Sequence, residues 1–229
     1  MNTISLVASW KHVFKASVNS SETKVSVKEI QLARNLMQEE IEEFVEAIGS
    51  ENKVEILDAL GDMVWTSHNA SLLMGHKSDI QTLEQAYFEF ANRLNVHEKI
   101  DRTVENSRER FLRILKESKH VRLEIFASEL LMACYVFAAE QGILLGAIMD
   151  SIYASNMSKL VSEDKVSDTA DFYEAKNISV CFEETSFSGE KRYVVKNKIT
   201  GKILKSVTFK EPKFDLDKIW KKHRDVKWF

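Results

Sequence analysis

The chain has 229 residues, is 44% hydrophobic and 29% charged, and contains a single proline. That composition is globular and leans towards helices, over a length that suits one large domain or a core domain with an appendage. A net charge of −3 argues against nucleic acid as a partner, and no apolar run reaches the ~18 residues of a membrane span.

Residues 1–25 predict one short helix carrying Trp10, Val13 and Phe14, then the polar loop SVNSSETKV. The N-terminus has neither a long apolar stretch nor a small-residue cleavage site, so a cytoplasmic location is expected. Ser26, with Glu29 three residues on, reads as an N-cap and capping box. The helix it opens runs to about Ile48 and is broken over residues 49–52. A second helix spans about Val54 to Met74, with Gly75 as its C-terminal stop. Residues 78–118 are expected to be helical again, from the spacing of Leu83, Ala86, Tyr87, Phe90 and Leu94. LEIFASELLMACYVFAAEQG predicts an apolar helix ending at Gly142, and ILLGAIMDSIYASNMSKL predicts one more.

After about Ser162 the pattern changes. ISVCFEE, KRYVVKN and KILKSVTF are short β-rich runs separated by Ser188-Gly189 and Thr200-Gly201, as hairpin turns would separate them. Residues 215–223 predict a last short helix. The expected fold is therefore all-α, with a helical domain over 1–162 and a β-rich extension over 163–229. Cys134 and Cys181 make neither a disulfide framework nor a zinc motif and read as buried thiols of a reducing compartment. The six histidines form no ligand-spaced cluster.

The helix around LMQEEIEEFVEAI carries the first chemical signal. At ~100° per residue, Leu36, Met37, Ile41, Phe44, Val45, Ala47 and Ile48 share one arc. Glu39, Glu42 and Glu46 fall opposite, as solvated charges should. Glu40 lies inside the apolar arc and Glu43 at its edge, where an ionised carboxylate is costly without a cation or donor. On the next helix Ile56, Leu60, Met63, Val64, Ser67, Ser71 and Met74 take one side. Glu55, Asp58, Asp62 and Asn69 cluster on the other, within roughly 60°. A lone acidic strip is ordinarily a solvent face. Two such helices joined by a short break can instead converge on one site with hard oxygen ligands, the kind Mg²⁺ prefers.

A fainter feature is an internal echo. GDMVWTSHNASLLMG and SELLMACYVFAAEQG both place a carboxylate thirteen residues before a glycine, pairing Asp62 with Glu129.

At these residues the sequence resembles the all-α NTP pyrophosphohydrolase superfamily, which includes MazG proteins, dimeric dUTPases and phosphoribosyl-ATP pyrophosphohydrolase. Its hallmark is Glu-Glu-x-x-Glu on one helix and Glu-x-x-Asp on the next. The run Glu39, Glu40, Ile41, Glu42, Glu43 fits the first part, and LGDMVW, Leu60 to Trp65, fits the region of the second aspartate. Asn69 falls where MazG proteins often carry asparagine. The usual glutamate three residues before that aspartate is here Ala59, so either Asp58 or Glu55 stands as the fourth ligand. SIYASNMSKL and ITGKILKS resemble the tail of a MazG-like subgroup common in phages and bacteria, with Asn156, Ser158, Lys159, Lys202 and Lys205 at the matching positions. Residues 76–120 look inserted relative to that compact pattern.

The resemblance implies hydrolysis of a nucleoside triphosphate between its α- and β-phosphates. Glu40, Glu43, Asp62 and either Asp58 or Glu55 would hold Mg²⁺, for which Mn²⁺ substitutes. Glu39 is the adjacent candidate for general base. Lys159, Lys202 and Lys205 would hold phosphate, Asn69 would contact the base or sugar, and Asn156 is a further substrate-binding position. Trp65 reads as core. Relatives assemble as dimers or higher, so a homodimer is expected. The competing reading keeps the fold but binds nucleotide or a partner without turnover.

Overall fold

The structure is a computed structural model and describes residues 3–19, 25–75 and 104–219, apart from the side chains of 104–107. Of the helical stretch expected over 78–118, residues 78–103 lie outside the described residues, as does the tail beyond residue 219.

Among the described residues six helices build the body: α1 (Thr3–Val13), α2 (Val27–Gly49), α3 (Lys53–Leu73), α4 (Val104–Glu117), α5 (Leu123–Glu140) and α6 (Leu145–Met157). Helix α2 opens on the expected capping box, with Ser26 and Glu29 satisfying each other's backbone N–H. Asn52 caps α3 by accepting from the Val54 and Glu55 N–H groups. Gly75 and Gly142 follow α3 and α5 at φ 83° and 67°, a left-handed conformation that stops a helix and favours glycine.

Helix α3 is the axis. It packs on α2, α5, α6 and α1, while α4 closes the bundle against α2 and α5. Fourteen of its 21 residues are buried, so α3 is not the half-apolar helix that the wheel suggests. Leu57, Ala59 and Trp65 are buried as well as Ile56, Leu60 and Met63. Gly61 permits the close approach of α6, because a Cβ there would lie 2.6 Å from Ile152 Cγ1 and 2.8 Å from Ile148 Cγ2. Phe44, Phe111 and Phe137 meet at the centre, the first two with ring centroids 4.6 Å apart. Arg34 of α2 donates to the Ser118 and Val121 carbonyls and ties α2 to the α4–α5 turn. Among the described residues no helix is long and apolar enough to cross a membrane.

The C-terminal part departs from the expected run of strands. It opens with β1 (Val161–Ser162), then a short 3₁₀ turn and a helix, α7 (Val166–Glu174), that the sequence reading did not separate. Strands β2 (Val180–Phe187) and β3 (Glu190–Asn197) form the expected hairpin. Ser188 and Gly189 join them, both at positive φ (53° and 79°), as a two-residue hairpin turn requires. The third strand of the sheet is β1, paired antiparallel to β3. The KILKSVTF run makes only one isolated bridge, Lys196 to Ile203. Val161, Tyr173 and Val195 form a small core of their own. Residues 205–213 then return across α6, and a last turn, α8 (Leu216–Ile219), sets Ile219 into the main core. Both cysteines are free; Cys134 is buried as expected, whereas Cys181 is only half-buried.

Candidate active site

Glu40 sits three residues after Met37 and four before Phe44, both fully buried, so helical spacing carries it onto the same face. It is half-buried, while Glu39, Glu42, Glu43 and Glu46 are exposed. On α3, Asp58 and Asp62 are half-buried and one turn apart, and Glu55 lies exposed at the helix start.

These carboxylates act on one another. Burial raises the Glu40 carboxyl well above the usual range, and the charges of Asp62, Glu43 and Glu39 raise it further. Asp62 is raised first by burial and then by Asp58, against the opposing pull of Lys159. Glu43 is raised by burial and by Glu39. Asp58 is pushed up to about 6, by burial and then by the charge of Glu211. The Asp58 Oδ1 atom is buried without a hydrogen-bond partner, which is costly for a carboxylate oxygen unless something supplies a positive charge. Glu40, Glu43, Asp58 and Asp62 thus act on one another across α2 and α3, while Glu55 lies exposed in the first turn of α3.

Three lysines reach this neighbourhood from the C-terminal side. Lys159, just past α6, carries the positive charge that Asp62 and Glu40 feel. Burial lowers its pKa and those carboxylates oppose the shift. Its Nζ donates to Asn156 Oδ1 at 2.6 Å, and Asn156 is itself buried. Lys202 Nζ donates to both carboxylate oxygens of Glu39, at 2.8 and 3.0 Å. Lys205 Nζ donates to Glu211 Oε1 at 3.1 Å and stands 4.2 Å from the Phe209 ring centre.

Asn69 is two turns further along α3, roughly 10 Å at 1.5 Å per residue. Its carbonyl accepts from Lys11 Nζ at 3.4 Å. Trp65 is buried between Trp10 and Tyr153, with ring centroids at 5.6 and 6.4 Å. Two charged residues escaped the sequence reading. Lys11 is almost fully buried and pushed down to about 8 by burial, with Glu29 opposing. It lies four residues after Val7 and three before Phe14, both buried, so the wheel argument that singles out Glu40 finds it too. Glu211 stands in irregular chain where no periodicity points to it.

Four carboxylates with raised proton affinity and one unpartnered oxygen are a donor set that fits a hard divalent cation. Among the described residues no three His, Cys, Asp or Glu side chains already converge as a ready cage. Glu40, Glu43, Asp58 and Asp62 are the residues that would hold such an ion.

Comparison with known proteins bears on the same helices. The chain is similar to an uncharacterized protein, L479, of Acanthamoeba polyphaga mimivirus, at 27% identity over 205 residues and 81% of each chain. No solved structure gives a significant match. Residues 7–93, which contain α2 and α3 whole, match the family described as phosphoribosyl-ATP pyrophosphohydrolase. That segment is therefore similar to a family of nucleotide pyrophosphohydrolases, within the superfamily that the Glu-Glu-x-x-Glu run resembles.

Proposed function

We propose that the protein hydrolyses a (deoxy)nucleoside triphosphate between its α- and β-phosphates, releasing a monophosphate and pyrophosphate, with Mg²⁺ or Mn²⁺ bound by Glu40, Glu43, Asp58 and Asp62. The observation that supports this most is the electrostatic imbalance between α2 and α3. Glu40, Asp58 and Asp62 are half-buried with raised pKa values, and the half-buried Lys159 is the cation that opposes the shifts of Glu40 and Asp62. Bound there, the cation would neutralise phosphate charge and acidify the attacking water.

The chain's own residues supply the rest. Lys159, Lys202 and Lys205 hold phosphate oxygens as compact point charges. Asn156 orients Lys159 through its 2.6 Å hydrogen bond. Glu39, next to the buried carboxylates, takes the proton from water. Asn69 contacts the nucleoside end. The active form is a cytoplasmic homodimer, for which the exposed Ile125 and Met132 of α5 offer apolar surface. The decisive assay incubates the protein with each common (d)NTP and Mg²⁺ and detects pyrophosphate. Pyrophosphate that appears with Mg²⁺ and not in EDTA is the expected result. Nucleotide binding without turnover would replace this reading with that of a non-catalytic nucleotide-binding protein.

A further inference from the structure

Residues 205–213 cross α6 as a strap pinned by a ladder of serines. Ser151, Ser155 and Ser158 recur at i, i+4 and i+7 and so share one helix face. Ser151 Oγ donates to the Lys213 carbonyl at 2.9 Å and Ser155 Oγ to the Lys210 carbonyl at 3.0 Å. Ser158 Oγ accepts from the Lys210 N–H at 2.9 Å, and Ser206 Oγ donates to the Ser158 carbonyl at 3.0 Å. Tyr173 OH donates to the Lys205 carbonyl at 2.7 Å. The backbone on both sides of Glu211 is therefore fixed, while the Glu211 side chain is 69% exposed and able to turn. The Glu211 carboxylate holds the Lys205 ammonium at 3.1 Å, and its charge is felt by Asp58.

We propose that Glu211 is a built-in competitor of the substrate's phosphate, occupying Lys205 while the site is empty and giving it up when a triphosphate arrives. The inference rests on the reading of Lys205 as a phosphate ligand. A carboxylate and a phosphate both offer anionic oxygens to an ammonium, so only one of them can take the full interaction. An exposed ion pair is weak; Glu211 therefore lowers affinity modestly without blocking the site. The same competition favours departure of pyrophosphate, which leaves the same lysine. Nothing covalent changes: Lys205 only exchanges one oxygen partner for another.

The test compares wild type, Glu211→Gln, Lys205→Ala and the double variant, all as full chains. It uses steady-state kinetics on the preferred triphosphate and calorimetry with pyrophosphate plus Mg²⁺. Glu211→Gln is expected to lower KM and the pyrophosphate Kd by about two- to fivefold, with kcat within twofold. In the Lys205→Ala background the same change should have no effect, because the competed cation is gone. Unchanged affinities in Glu211→Gln would overturn the proposal. So would a raised KM or a lost kcat, the results expected of a residue that binds metal or substrate directly. If the wild type itself neither turns over nucleotide nor binds pyrophosphate, the functional reading falls and this inference with it. If the wild type binds and Glu211→Gln matches it, only the competitor role falls.

Discussion

The helix pairs α2–α3 and α4–α5 share one core and treat buried charge in opposite ways. In the second pair, Glu140 of α5 has a side chain only 5% exposed and is met by Arg110 of α4 at 3.6 Å. One acid faces one base, the arrangement a purely structural buried charge requires. In the first pair Glu40, Asp58 and Asp62 share a half-buried neighbourhood that the half-buried Lys159 partly offsets. Carboxyls crowded in this way weaken a fold as they ionise, and a bound cation would supply the missing positive charge.

The sharpest way to break the comparison is to remove charge from the first pair while keeping size. Asp62→Asn and Glu43→Gln should each lower turnover at least about a hundredfold, some 2.7 kcal/mol at ~1.36 kcal/mol per decade. Circular dichroism should be unchanged. Glu46→Gln, on the exposed side of α2, should stay within about twofold, the scale of a solvent-face change. Equal damage from Glu46→Gln and Glu43→Gln would show that the charged faces of α2 have been misassigned.

Lys159→Ala comes next. It removes one charge-assisted contact to phosphate, worth roughly 1.5–3 kcal/mol. Catalytic efficiency should fall about ten- to a hundredfold at ~1.4 kcal/mol per decade. A change smaller than threefold would place phosphate elsewhere.

The third expectation concerns stability. Asp58 shifts from 3.8 to about 6 on folding, and Glu40 and Asp62 also shift upwards. A carboxyl with a raised folded pKa binds more protons folded than unfolded, so its contribution is full below about pH 4 and is lost as pH rises through the folded value. The metal-free protein should lose melting temperature from about pH 4 to 6, and further above pH 6 as the other two ionise. Millimolar Mg²⁺ should raise the melting temperature most at the alkaline end, because cation binding displaces those protons. A melting curve indifferent to Mg²⁺ and to pH across this window would remove the basis for the metal site.

How much of this was legible in the sequence depended on periodicity. Glu40 stood out because a glutamate interrupted an otherwise apolar arc, and in the structure it is half-buried. The capping box at Ser26, the helix stops at Gly75 and Gly142 and the Ser188-Gly189 turn were visible because each places a specific residue type at a position that demands it. The wheel failed on α3, where helices crowd several sides and apolar residues leave no single stripe. Strand β1, two residues long, is fixed by its pairing with β3 rather than by any local pattern. Glu211 and the serine ladder were invisible, since their partners lie 6 to 62 residues away through irregular chain.

Gly61→Ala sharpens the comparison from the packing side. The added methyl would collide with Ile152 and Ile148 of α6 near their branch points, so the helix itself has to give. Overpacking costs typically 1–3 kcal/mol, offset by about 1 kcal/mol of gained helix propensity. A net loss of about 1 kcal/mol in denaturant unfolding is expected. Because α6 ends just before Lys159, activity should fall beyond what the stability change explains. A variant as stable and active as the wild type would mean α6 moves freely against α3.

The smallest effect tests the echo between the two pairs. Thirteen residues before their closing glycines stand Asp62 on α3 and Glu129 on α5. The same alignment sets Asp58 against Ile125 and Glu55 against Arg122, so two of three acidic positions are lost. Glu129, Ile125 and Arg122 are all exposed, whereas Asp58 and Asp62 are half-buried beside α2. A solvated carboxylate with no acidic neighbour at helical spacing cannot assemble a hard-cation site. Removing its charge also relieves no repulsion. Glu129→Gln should therefore leave turnover within about twofold and stability within ±0.5 kcal/mol, the range of an ordinary surface change. Measured beside Lys159→Ala, it fixes where the chemistry lies. A larger loss for Glu129→Gln than for Lys159→Ala would move the active site from the α2–α3 pair to α5.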